Sequence, residues 1–107
     1  MSRLPPALAA SATPRIAEEL GEPPARVLEL GFAGIHAPLL RVAGFEVVVV
    51  EPDPAHRECA RERAGDVLAE PPAEKFDAVV AMDGADLTGV AARKAVLVRR
   101  DGSVRVQ

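Results

Sequence analysis

The sequence predicts one α/β domain built on a mostly parallel sheet. Three observations carry that expectation. Val27-Leu28-Glu29-Leu30-Gly31 is an apolar run that ends on a glycine and enters the small-residue turn Phe32-Ala33-Gly34. Glu46-Val47-Val48-Val49-Val50 holds four successive valines, the pattern of a middle strand buried on both faces. Only a short helix fits between the two runs, so they form a βαβ unit, whose crossover is right-handed. The 107 residues, 49% of them hydrophobic, suit a single core. No repeat or linker divides residues 1–107.

Residues 1–12 are rich in Ala and Pro and read as a loose arm. Thr13-Pro14 reads as an N-cap followed by the proline that suits a first helical position. Ile16, Ala17 and Leu20 then share a face, and Gly21 before Glu22-Pro23-Pro24 ends the helix. The first strand covers 26–30. A short helix over 37–43 follows, with Leu39, Leu40 and Val42 as its apolar positions and Gly44 as its stop. After the second strand, 46–50, Pro52 ends ladder pairing and Asp53-Pro54 starts a new helix. That helix runs to Ala64 with only small residues to bury: Ala55, Cys59, Ala60 and Ala64.

A third strand within 66–70 is expected to be either very short or frayed. Roughly six linker residues reach at most ~24 Å, and crossing strands spaced ~4.8 Å apart while returning down the sheet uses most of that reach. The fourth strand is 76–82. A weak helix over 86–94 turns Leu87, Val90 and Ala91 inward, with Gly89 lowering its stability. The runs 95–100 and 103–106 flank Asp101-Gly102, a hairpin signal of type I′. Val104 and Val106 alternate with Ser103 and Arg105, as in an edge strand with one wet face. The expected order is 3-2-1-4-5, with the last strand antiparallel at the edge. Ligands of such sheets bind outside the C-terminal strand ends, at the switch point between strands 1 and 4. Glu29, Gly31, Glu51 and Asp83 all fall near those ends.

Residues 26–83 resemble the class I S-adenosylmethionine-dependent methyltransferases, a Rossmann-like family of three-layer sandwiches. Arg26-Val27-Leu28-Glu29-Leu30-Gly31 is similar to that family's first motif, and Gly44-Phe45-Glu46 through Glu51-Pro52-Asp53-Pro54 to its second. Phe76-Asp77-Ala78-Val79-Val80 looks like the strand before the methyl-transfer site. The resemblance implies S-adenosylmethionine as cofactor, held by Glu29, Gly31, Ala33, Gly34, Glu51 and Asp66. Glu51 would take the ribose hydroxyls, Asp66 (or Glu70) would lie near the adenine amino group, and Asp83 would be the catalytic base or an acceptor contact. The family's second and third glycines align with Ala33 and Ile35, so Ile35 is expected to narrow the pocket. Residues 70–75 leave no room for the family's usual helix, and nothing after strand 5 resembles a substrate lobe. A non-catalytic Rossmann-like module, with the cleft vestigial, is therefore the alternative, and a nucleotide-binding fragment a third.

Each residue also has a plainer reading. Glu29 is either a ligand contact or a strand-end carboxylate that reaches solvent or a nearby backbone N–H. Glu51 is either a ribose contact or a solvated strand end before Pro52, and Asp83 suits an N-cap or an Asp-Gly turn. His36 reads as a partly exposed loop histidine or a ligand contact, and His56 as solvated. Cys59 reads as a small apolar helix residue before it reads as a nucleophile. Carboxylates and histidines show no metal-ligand spacing, so no metal is expected.

The net charge of −3, three Phe, and no Trp or Tyr disfavour nucleic-acid binding. No apolar run approaches the ~18 residues of a membrane span. One cysteine and the prolines at 5 and 6 point to the cytoplasm. All but one of the candidate helices fall on one sheet face. A homodimer partner or another protein is expected over the thin face.

Overall fold

The computed structural model describes residues 12–23 and 25–107. The arm expected over 1–12 lies outside them except for Ala12, and so does Pro24. The elements in order are α1 (Thr13–Leu20), β1 (Arg26–Leu30), α2 (Ala37–Val42), β2 (Glu46–Val50), α3 (Pro54–Ala64), β3 (Val67–Leu68), β4 (Lys75–Met82), β5 (Ala91–Val98) and β6 (Val104–Val106). They build one six-stranded sheet of order β3-β2-β1-β4-β5-β6. Every pair is parallel except β5 with β6. The architecture is the expected α/β Rossmann-like arrangement, with its antiparallel edge.

Side-chain alternation sorts the core into two clusters. Val27 pairs in register with Val47 on one side and Ala78 on the other. These residues, with Val49, Val80, Val96 and Val98, face Ile16 and Leu20 of α1, Leu40 of α2 and Ala64 of α3. The odd face of β1 thus carries all three helices. The even face holds Leu28, Leu30, Val50, Val79 and Leu97, which are buried, with Ala85, Leu87 and Val90 packed against them. Fully burying a side chain such as Leu28 contributes about 2 kcal/mol, so a loop alone recruits substantial burial there.

Several local expectations need correction. The helix over 86–94 is absent. Asp86 accepts hydrogen bonds from the Thr88 amide and hydroxyl, which closes a side-chain turn that competes with helix, and Gly89 has φ +83°. Residues 91–94 join β5 instead, because they pair with β4 (Lys75↔Ala91, Phe76↔Ala92, Ala78↔Lys94). Lys94 Nζ also reaches the Glu19 carbonyl at 2.6 Å, tying β5 to α1. Thr13 is not the N-cap of α1. Ala12 occupies that position with no side-chain bond, while the buried Thr13 hydroxyl lies 2.7 Å from His36 Nδ1. In α3, Ala60 and Ala64 are buried, but Ala55 and Cys59 are exposed.

The hairpin at Asp101-Gly102 forms, but not with a type I′ turn. The Gly102 amide bonds the Arg99 carbonyl and the Arg99 amide bonds the Ser103 carbonyl. Only Gly102 has positive φ there, the pattern of a type I turn followed by a glycine bulge. As expected, β3 is minimal. Among the described residues, no helix is long and apolar enough to cross a membrane.

Candidate functional site

The carboxyl ends of β1, β2, β4 and β5 bound an open cleft of about 890 Å³. Leu30 ends β1 and Gly31 follows it, Glu51 to Asp53 follow β2, and Met82 to Asp86 run on from the end of β4. Arg99 and Arg100 close it from β5. Parallel strands place these ends side by side, so residues far apart in the chain meet here.

The turn between β1 and α2 is held by the second strand. The Gly31 amide donates to the Val50 carbonyl at 3.0 Å. The Ala33 amide donates to Glu51 Oε1 at 2.9 Å, and Glu51 Oε2 accepts from the Asp53 amide at 3.1 Å. Glu51 is fully buried. Its carboxylate ties the turn to the loop that starts α3. Ala33 has φ +52°, a left-handed conformation that L-residues adopt at a cost. Its carbonyl accepts from Arg63 at 3.1 Å.

Gly34 serves packing rather than the cleft. A Cβ there would meet Ala64 Cβ at 3.1 Å and the Ala60 carbonyl oxygen at 3.2 Å. Ile35 packs against the helix-side core and does not line the cleft, so the expected narrowing does not occur. Asp66 is exposed beside β3 and also lies outside the lining.

Glu29 sits on the helix face, away from the cleft. Its register partners are Val49 and Val80, and its Oε2 accepts from the His36 amide at 2.9 Å. Burial pushes its carboxyl up to about 7, against the pull of the His36 and Ala37 amides. His36 is fully buried, not a partly exposed loop residue, and burial lowers it to about 4. It meets Phe32 edge to face at 4.6 Å between ring centres. Glu29 Oε1 and His36 Nε2 make no hydrogen bond with described residues.

Asp83 lies at the cleft and is ion-paired. Arg105 Nη2 is 2.9 Å from its Oδ1, and Arg99 Nε is 3.9 Å from its Oδ2. The hydrogen bond from Arg105 holds its carboxyl below the usual range. Asp53 caps α3 through the Ala55 amide and faces His56 Nδ1 at 3.0 Å.

Gly31, Glu51 and Asp83 therefore meet at one cleft, while Glu29, Ala33, Gly34 and Asp66 do not line it. Met82, Asp86, Arg99 and Arg100 were not singled out from the sequence. Their position at or just past strand ends was the available signal. Among the described residues, no group of three His, Cys, Asp or Glu is placed to hold a metal ion. No family model matches the sequence, and no curated protein matches it.

Proposed function

We propose that this cleft binds S-adenosylmethionine, which makes the chain a minimal, cytoplasmic methyltransferase-like domain. The observation that supports this most is the convergence of Gly31 and Glu51 on one hollow, with Ile35 turned away. The volume of about 890 Å³ falls within the ~300–1,000 Å³ of small-molecule sites. The lining carries both signs of charge, which suits a ligand bearing an ammonium and a carboxylate.

When bound, the sulfonium would supply a methyl group activated toward a nucleophile. The chain's own part is alignment of the two reactants. Gly31 lets a ligand approach the backbone, and Glu51, at the end of β2, would take the ribose hydroxyls in addition to the backbone amides it already accepts from. Asp83, held ionised by Arg105, is better suited to orient an acceptor by accepting its hydrogen bond than to take up a proton.

A second reading, a Rossmann-like module without catalysis, draws on a different observation. Glu51, Asp53 and Asp83 are all already bonded within the chain. Under it, a second copy seats on the thin face at the half-buried Leu87 and Val90.

Calorimetry with S-adenosylmethionine, S-adenosylhomocysteine and NAD separates the readings. The first two bind and NAD does not if the proposal holds. Met82→Trp, which fills the cleft, removes that binding while circular dichroism stays native. Silence with all three ligands, together with dimers in sedimentation at micromolar concentration, supports the second reading.

A further inference from the structure

The charged groups of the cleft differ in one respect. Glu51 accepts from two backbone amides. Asp53 caps α3, Asp83 is paired with Arg105, and Asp86 is bonded to Thr88. Arg99 lies 3.9 Å from Asp83 and 3.4 Å from the Ser103 hydroxyl. Arg100 alone among them makes no hydrogen bond or ion pair with described residues, although it is part of the lining. It occupies the first central position of the turn after β5, where the bond from the Gly102 amide to the Arg99 carbonyl fixes the backbone.

We propose that Arg100 makes the β5 end of the cleft a subsite for an anionic group, a carboxylate or a phosphate. An uncommitted guanidinium at the rim of a concave site presents its fork of donors to such a group. None of the cleft acids is bonded to it: Glu51 and Asp53 accept from backbone amides, Asp86 accepts from Thr88, and Asp83 is paired with Arg105. This subsite is separate from the Gly31–Glu51 end. β2 and β5 are three strand spacings apart in the sheet, roughly 14 Å. The anion at Arg100 is thus either the amino-acid tail of an extended nucleoside ligand or a group on a second reactant. The inference rests on reading the cleft as a ligand site, but it does not need that ligand to be a methyl donor.

The test compares wild type, Arg100→Ala and Arg100→Lys. Adenosine and S-adenosylhomocysteine are titrated by calorimetry. Inorganic phosphate is titrated by following the Gly102 and Gly31 amides in nitrogen-15 NMR. Loss of about tenfold in S-adenosylhomocysteine affinity in Arg100→Ala, the scale of one charge-assisted hydrogen bond, supports the subsite if adenosine is unaffected and Arg100→Lys recovers part of it. The anion is then the ligand's own tail. If S-adenosylhomocysteine binds both proteins alike, but phosphate shifts Gly102 only when residue 100 is basic, the anion belongs to a second reactant. If phosphate behaves so and S-adenosylhomocysteine does not bind at all, the subsite stands and the methyl-donor reading falls. If Arg100→Ala changes neither probe, the subsite is overturned, whatever the nucleoside does.

Discussion

Glu29 and His36 are two ionisable groups that burial holds neutral in opposite ways. Glu29 rises from 4.5 to about 7 on folding. Its contribution is therefore full below pH 4.5 and is lost as pH climbs toward 7. His36 falls from 6.5 to about 4. Its contribution is full above pH 6.5 and is lost as pH falls toward 4. Between those limits the two slopes oppose each other, each amounting to about 3 kcal/mol across its window. Wild-type stability is expected to change little over pH 4.5–6.5 from this pair. Glu29→Gln should expose the His36 slope, with stability rising as pH rises. His36→Gln should expose the Glu29 slope, with stability falling instead. Urea midpoints at several pH values check both, and equal slopes in the two variants would show that neither group is held neutral. Glycine at Ala33 tests backbone strain. A left-handed alanine costs about 1–2 kcal/mol, and glycine's extra chain entropy offsets about 0.5–1 of that. Ala33→Gly should raise the melting temperature slightly, and a clear fall would mean that the φ of +52° carries no strain. The sequence marked Ala33 as standing where a glycine was due, but it could not show that Glu51 bonds its amide. That bond depends on two loops meeting.

At the scale of elements, strong local signals survived and weak ones yielded to pairing. β1, β2 and α3 have the bounds expected from their apolar runs, their prolines and Asp53. Residues 91–94 carry Ala, Arg and Lys, good helix formers. They became strand because β4 offered an open edge, where Lys75, Phe76 and Ala78 pair with Ala91, Ala92 and Lys94. No local pattern encodes that choice. The same contrast gives a quantitative test. Asp53 accepts from the Ala55 amide at 2.9 Å as the cap of α3. Asp53→Ala should cost about 1 kcal/mol, read as a lower denaturation midpoint with unchanged cooperativity, and Asp53→Asn should restore most of it. The loss should be felt in the cleft too, because the Asp53 amide is bonded to Glu51. An alanine variant as stable as wild type would mean that α3 is held by its packing through Ala60 and Ala64 alone.

The strand order was legible for the whole molecule because parallel strands joined by short helices leave few routes. The thin face was legible in kind but not in form, since it is the loop over 83–90 rather than a helix that packs there. This asymmetry should be visible in hydrogen exchange. β1 and β4 have neighbours on both edges and Leu28 and Val79 in the core, so their amides should exchange only through global unfolding. β3 has two residues and one partner, and the 83–90 loop holds few backbone bonds, so both should open locally and exchange fast. The loop also supplies Asp83 to Asp86 to the cleft, which couples its stability to occupancy. A ligand reaching from Gly31 to Ala85 would bridge β1 to this loop, and anything that binds only the closed form stabilises it by mass action. Saturating S-adenosylhomocysteine should therefore slow exchange over 83–90 and leave β3 as fast as before. Uniform slowing across the sheet would point to global stabilisation with no special contact at the loop. Slowing confined to β3 would place the ligand at the opposite edge, outside the cleft.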